Sequence, residues 1–326
     1  MTSPEYRPLR WGVVGTGAIS RQMVADFALV PDATVSAVAS RELERADAFA
    51  DESGIAERYA SRREMFASDI DAVYLATPHV THFEIASEAI AAGRHVLCEK
   101  PLGMSEREVR ELSAQAVDAG VFLMEAMWMK FNPLYARLSG LIAEGVLGDV
   151  RSVSAAFGAA FRRDGSSRWK PGGSALLDQG IYPVTLAHML LGRPDTVHAR
   201  GTVRPDGVDL REEFSLGYQD DRFAHGASSM VEWIDPSAAV SGTDAYVTIT
   251  GGFWWASQLT VHHPLPWEQR RQEVIEVEQE GNGYVPMLRA VVKAIRAGEL
   301  EHPLHTAAAT AEIYSTLDEI RRQITR

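Results

Sequence analysis

A single cysteine, Cys98, occurs in 326 residues, so no internal disulfide can form and a reducing, cytoplasmic setting is expected. No run of ~18 or more apolar residues suggests a membrane span, and the opening MTSPEYRPLR holds no apolar signal segment. Positive charge is scarce: 32 Lys and Arg against 44 Asp and Glu leave a formal charge of −12, which argues against the basic face that nucleic acid demands. GxSxG and HExxH are missing too, as are internal repeats and strong linkers. The pairs His262–His263 and His302–His305 lack carboxylate or cysteine companions at ligand spacing, so no metal is assigned. What is present is length for two domains and, at 46% hydrophobic, ample core.

The most informative segment lies near the start. LRWGVV (9–14) reads as a buried strand, and GTGAIS is followed by the helical pattern Met23, Phe27, Val30. Glycine at 15 permits a tight strand-to-helix turn, and glycine at 17 lets the backbone approach a pyrophosphate seated on the helix N-terminus. The turn Gly15, Thr16, Gly17, Ala18 and Ile19 is therefore the candidate phosphate cradle, with Ser20 a small, imperfect third member of the fingerprint.

The second strand, TVSAVAS (34–40), ends where a cofactor ribose would lie. NAD sites usually place Asp or Glu there, whereas this chain has Ser40 and Arg41. A hydroxyl and a guanidinium suit a 2′-phosphate, so NADP(H) is expected over NAD(H). Arg41 can equally open a solvated helix.

Strand and helix patterns alternate up to residue 125: strands at 34–39, 71–76, 95–98 and 121–124, helices at 42–52, 80–92 and 105–119. Ser105 and Glu108 have capping-box spacing, and Gly93 and Gly120 stand where helices end. Alternation of this kind implies a parallel sheet with helices on both faces. Beyond it, helical stretches at 132–144 and 174–191 precede strand-like segments such as TVHARGTV, EEFSLGY, AYVTIT and RQEVIEVEQ, which indicate an antiparallel sheet. Two helices, 284–297 and 306–323, close the chain. The expected division is 1–125 and 126–326.

Lys100 follows strand 95–98, at the carboxyl edge of the parallel sheet where open α/β sheets bind ligands. Asp178 and Tyr182 are spaced i, i+4 and project from one helix face. A tyrosine titrates near ~10, too high to accept a proton readily at neutral pH. An ammonium ~4 Å away could favour tyrosinate by up to ~4 kcal/mol at an effective dielectric of ~20. Desolvation opposes that shift, so Lys100 can instead orient the substrate hydroxyl. Thr77, Pro78, His79 and His82 form a strand-end loop that can contact a cofactor, as can Glu99; the histidines can equally cap the helix that follows. Trp128, Phe157, Phe161 and Trp169 are candidate substrate-pocket walls, although large aromatics are more often core.

Together GTGAIS, TPHVTH (77–82), CEKPL (98–102) and GGSALLDQGIYPV (172–184) resemble the Gfo/Idh/MocA oxidoreductases over nearly the whole chain. EAMWMKFNP (125–133) and Tyr182 resemble the branch of dihydrodiol dehydrogenases and NADP-dependent xylose dehydrogenases. The resemblance implies an α/β Rossmann domain plus an α+β domain with a large open, mostly antiparallel sheet that commonly forms a dimer interface. It also implies a cis Lys100–Pro101 bond, and hydride transfer at a secondary alcohol of a sugar, cyclic polyol or vicinal diol. Lys100, Asp178 and Tyr182 would be the catalytic residues, and a homodimer or higher homo-oligomer is expected. The alternative is a non-catalytic NADP-binding regulator of the same fold, since fold alone does not decide function.

Overall fold

The computed structural model describes residues 7–264 and 270–326. In chain order its regular elements are β1 (Leu9–Val14), α1 (Ala18–Phe27), β2 (Ala33–Ala39), α2 (Leu43–Ser53), β3 (Glu57–Tyr59), α3 (Arg62–Phe66), β4 (Ala72–Leu75), α4 (His82–Ala91), β5 (His95–Cys98), α5 (Glu106–Ala119), β6 (Leu123–Glu125) and α6 (Pro133–Ala143). There follow β7 (Val150–Gly158), α7 (Ile181–Leu191), β8 (Thr196–Val203), β9 (Asp209–Gly217), β10 (Phe223–Ser229), β11 (Ala238–Gly242), β12 (Tyr246–Ile249), β13 (Gln258–His263), β14 (Arg271–Glu276), α8 (Val285–Arg296) and α9 (Ala307–Ile324).

The chain divides into two compact units, Met1–Phe131 with Gln279–Thr310, and Asn132–Glu278 with Ala311–Arg326. Residues 126–131 and 279–310 thus lie with the first unit, a return of the chain that linear alternation has no means of showing.

In the first unit, six parallel strands run in the order β3-β2-β1-β4-β5-β6. β4 is buried throughout, and β1 and β5 nearly so, because helices cover both faces of such a sheet. The order reverses between β1 and β4, which opens a crevice at their carboxyl ends. Local signals agree with the fold here. Ser105 Oγ accepts the Glu108 amide at 3.4 Å, and the Glu108 carboxylate accepts the Met104 amide at 2.8 Å, so both ends of the cap are satisfied. Gly93 and Gly120 adopt the left-handed conformation, with φ of +73° and +66°.

The second unit is built on an eight-stranded sheet, ordered β14-β13-β12-β11-β7-β10-β9-β8. All its pairings are antiparallel except β7 with β10. β7 and β11 are absent from the sequence reading, although β7 sits near the middle of the sheet. Its stretch VRSVSAAFG is rich in Ser and Ala, whose small side chains give no clear period-two contrast. β9 alternates buried and exposed residues, as expected of a sheet with one face covered. α7 packs against β7 and β10. At the β8 edge, Gln323 of α9 accepts the Ala199 amide and donates to Val197 O, each at 2.8 Å, which blunts an otherwise open strand.

Candidate active site

At the crevice of the first unit, Gly15 leaves β1 with φ of +106°, and a Cβ there would come 2.4 Å from Ala76 O. No other residue is free to adopt this conformation against that neighbour. The Gly15 amide donates to Ala39 O at 3.1 Å, so the turn is tied to the end of β2. Gly17 caps α1 and meets nothing within 4 Å of where a Cβ would stand. Gly17 and Ala18 are exposed, Thr16 and Ile19 half-buried, and Ser20 is fully buried, where its small size lets α1 approach the sheet. The first turn of α1 carries no acidic residue. Open space above free helix amides, with no carboxylate to repel an anion, fits a dinucleotide pyrophosphate. Ser40 and Arg41 follow β2, half-buried and exposed respectively.

The loop after β4 is clamped to the loop after β5 by His82. This ring, with no exposed surface, places Nδ1 2.7 Å from Pro101 O and Nε2 2.8 Å from Thr77 O. Burial holds its pKa below the usual histidine value, while the two carbonyls pull the other way. His82 therefore positions Thr77 and Pro101 through their backbones rather than facing solvent. Thr81 Oγ1 donates to Thr77 Oγ1 at 2.8 Å and completes the loop. Pro78 precedes a 3₁₀ turn, His79–Thr81, and the rings of His79 and His82 lie 6.0 Å apart. The Lys100–Pro101 bond is cis.

Beside this loop lies a buried polar network. Glu99, pushed up to about 7 by burial, accepts the Tyr74 hydroxyl at 2.7 Å. Glu125 Oε1 accepts the Leu102 amide at 3.0 Å, and its Oε2 faces His305 Nε2 at 3.1 Å with both side chains fully buried. Lys130 Nζ approaches His305 Nδ1 at 3.4 Å. Burial depresses His305 and brings Lys130 down to about 8. A neutral His305 satisfies both neighbours: its Nε2–H donates to Glu125 while Nδ1 accepts from the ammonium. Lys130, His305 and Glu125 thus form a line ending on the backbone two residues past Lys100. Trp128 packs beside them against Tyr284, ring centres 4.7 Å apart, and is 8% exposed.

In the second unit, the expected helix 174–191 is not uniform. Leu176–Gly180 form a π turn and α7 begins at Ile181, so Asp178 lies on the π turn and Tyr182 in the first turn of α7. Single π turns inside helices recur at functional sites. Here Asp209 Oδ1 accepts the Leu176 amide at 2.8 Å, Gln179 Nε2 donates to Ser229 O at 2.9 Å, and Ser228 donates to buried Glu212. Burial raises Glu212 well above the carboxylate range. A Cβ on Gly180 would meet Ser228 Oγ at 2.6 Å and Glu212 Oε1 at 3.2 Å, so glycine allows the turn to settle on this pair.

Tyr182, 4% exposed, sits in an aromatic group: Phe157 and Trp254 stack at 3.6 Å and 11°, and their centroids lie 6.0 and 5.7 Å from the tyrosine ring. Asp178 accepts Arg168 Nε at 2.7 Å, and that guanidinium lies 3.8 Å from the centre of the Phe161 ring. Trp169 is 9% exposed and buried in a cluster with Ala175, Val208 and Met230. Trp254 and Arg168 are not singled out in the sequence reading, Glu125 and Lys130 enter it only within EAMWMKFNP, and His305 enters only as half of a histidine pair without a carboxylate companion, whereas the fold supplies Glu125. The run FWW after two glycines could have flagged Trp254; for the others spacing carries no signal. Lys100 belongs to the first unit, Asp178 and Tyr182 to the second. Among the described residues no group of three or more His, Cys, Asp or Glu could hold a metal ion, and no helix is long and apolar enough to cross a membrane.

Residues 9–127 match the oxidoreductase family with an NAD-binding Rossmann fold, Gfo/Idh/MocA, and residues 135–248 match the Gfo/Idh/MocA C-terminal domain. The chain is 33% identical to trans-1,2-dihydrobenzene-1,2-diol dehydrogenase of Sus scrofa, over 97% of each. Among solved structures, a 3-ketoreductase from Actinomadura kijaniata in complex with NADP and TDP-benzene is 27% identical and superposes over 98% of both chains with a TM-score of 0.87. That enzyme has also been solved with a tyrosine replaced by phenylalanine and with a lysine replaced by alanine or glutamate. Levoglucosan dehydrogenase in complex with NADH and levoglucosan, 19% identical with a TM-score of 0.89 over 98% of both chains, shares the fold. With both domains matched and a full-length relative at this identity, the chain belongs to the Gfo/Idh/MocA oxidoreductases.

Proposed function

We propose that the chain is an NADP(H)-dependent oxidoreductase that moves a hydride between nicotinamide and the carbinol carbon of a sugar, cyclic polyol or vicinal diol. The observation that carries this reading is the 33% identity, across 97% of both chains, with a trans-1,2-dihydrobenzene-1,2-diol dehydrogenase. That relative acts, by its name, on a ring bearing adjacent secondary alcohols. Preference for NADP rests on Ser40 and Arg41 at the position where an NAD site usually has a carboxylate, and is supported by the NADP-bound relative.

Gly15, Thr16, Gly17, Ala18 and Ile19 would hold the pyrophosphate, Ser40 and Arg41 the 2′-phosphate. Thr77, Pro78, His79, Glu99 and Lys100 would line the nicotinamide end, with His82 behind them as the clamp. When bound, the cofactor supplies the hydride acceptor for oxidation and the donor for reduction. In oxidation an ionised Tyr182 takes the hydroxyl proton; in reduction its phenol returns it. Lys100 favours negative charge on the shared oxygen, and Asp178 accepts a hydrogen bond from a neighbouring hydroxyl. The flat face of Phe157 and Trp254 keeps water from the carbinol carbon and suits the C–H face of a ring. Tyrosine and lysine substitutions chosen in the Actinomadura enzyme support the same pair of residue types.

The test is turnover with NADP across pentoses, hexoses and trans-dihydrodiols, followed by absorbance of the reduced cofactor. Oxidation of at least one with NADP preferred over NAD is expected; no turnover on any defeats the reading. We further propose that the outer face of the eight-stranded sheet pairs with a second copy. Phe223, Tyr246 and Val274 stand exposed at 43%, 37% and 53%, on the same sheet face as Ser154, Ser215 and His225, which floor a groove of about 730 Å³. Sedimentation should give a dimer at micromolar concentration, and a monomer alone would reject it. A cytoplasmic setting belongs to the same proposal and rests on the lone, fully buried Cys98.

A further inference from the structure

Loop 162–173 connects the end of β7 to the π turn, and its course is set by one buried side chain. Trp169 fills the cluster of Ala175, Val208 and Met230, its indole nitrogen donates to Arg162 O at 2.8 Å, and Arg204 donates to Trp169 O at 3.1 Å. The return of the loop is equally constrained, since a Cβ on Gly173 would come 1.9 Å from Arg168 O. Arg168, adjacent to this anchor, is thereby delivered to Asp178, with the side chains 32% and 12% exposed. The guanidinium carbon sits 3.8 Å from the centre of the Phe161 ring, which limits its other positions. A carboxylate one turn from Tyr182 would by itself repel any anionic substrate. Paired with Arg168, it presents an acceptor and spare N–H donors with no net charge.

We propose that Arg168 is a specificity-determining residue: by neutralising Asp178 it makes the substrate face of this turn select neutral polyhydroxy rings over the same rings carrying a carboxylate. The inference rests on the function proposed above. It implies that removing either partner moves charge discrimination in opposite directions, which a merely structural contact would not do. Asp178→Asn leaves a bare guanidinium that welcomes a carboxylate. Arg168→Gln takes the guanidinium away from the carboxylate, and the local charge then rejects a second carboxylate more strongly.

Dissociation constants, read by tryptophan fluorescence with NADP present, test this without depending on turnover. Two matched pairs serve as probes: D-glucose with D-glucuronate, and trans-cyclohexane-1,2-diol with its 4-carboxylate. In the unmodified protein the neutral member should bind at least tenfold tighter. Asp178→Asn should shrink that ratio tenfold or invert it, Arg168→Gln should widen it about tenfold, and Arg168→Lys should restore it. A ratio unchanged across the variants, with both affinities falling together, would reduce Arg168 to a packing role while the proposed function stood. Failure of the unmodified protein to bind either neutral compound would overturn the proposed function, and this inference with it.

Discussion

The carboxyl edge of the parallel sheet and the π turn of the other unit are built in opposite ways. At the first, loop backbones are held by buried polar side chains: His82 on two carbonyls, Glu125 on the Leu102 amide, Glu99 under Tyr74. At the second, Tyr182 stands in an aromatic stack and Asp178 in a partly exposed ion pair reaching in from a loop. Buried polar networks are costly unless fully satisfied, so they tolerate almost no rearrangement. Aromatic walls and loop-borne charges can be exchanged with little effect on the core. A rigid end suits an invariant ligand such as a dinucleotide, and an adjustable end suits a substrate that differs among related enzymes.

The contrast is broken most severely at its adjustable end. Tyr182→Phe removes one hydroxyl and keeps the ring packed on Phe157 and Trp254, so folding and cofactor affinity should persist while turnover falls ~10²–10⁴-fold. Under the proposed mechanism Lys100→Met should also cripple turnover, and a double variant should be far from additive. Near-normal turnover by Tyr182→Phe, measured at saturating substrate, would show the tyrosine to be packing only.

At the rigid end the effect should be on stability. Glu125→Ala strands His305 and Lys130 in the interior and frees the Leu102 amide, which should cost ~3–5 kcal/mol in urea unfolding. An equal loss from Asp178→Ala would erase the distinction between the two ends.

Glu99 sharpens the comparison through pH. Its folded pKa, about 7, lies above the ordinary carboxylate value of 4.5, so the folded state holds the proton more tightly. That contribution is complete below pH 4.5 and is lost as pH rises through 7, by on the order of 3 kcal/mol at most. Glu99→Gln should therefore gain stability relative to the parent across this window, and parallel unfolding curves at both ends of it would contradict the assignment.

The smallest effect is expected at the solvent-facing rim of the rigid end. Arg41→Ala should weaken NADP binding ~10- to 100-fold, the value of a lost charge-assisted hydrogen bond, and leave NAD binding almost untouched. Equal NADP and NAD affinities in the unmodified protein would remove the basis for this prediction.

Much of the rigid end is legible in sequence because its signals are local. GTGAIS, the apolar strand before it and the capping-box serine at 105 each constrain a few neighbouring residues, and the parallel sheet follows from their alternation. The fully buried histidine of TPHVTH reads as a loop contact in sequence; that it spans Thr77 O and Pro101 O depends on two loops meeting. β7 escapes because Ser and Ala carry too little hydrophobic contrast to show which face is covered, although its register with β10 and β11 is well defined. Arg168 looks like one more basic residue in RRDGSSRWKPGG until Trp169 is seen to anchor the loop beside it.

By itself, therefore, the sequence determined the class of both units, the turn that suits a dinucleotide, and the residue types available for proton transfer. These depend on periodicity and on backbone freedom at single positions. Only the tertiary structure decided the return of 279–310 to the first unit, the pairing of Glu125 with His305, the π turn beneath Asp178 and the partner of that carboxylate. Each joins residues whose meeting depends on burial and chain path rather than on spacing, and burial is a property of the folded whole.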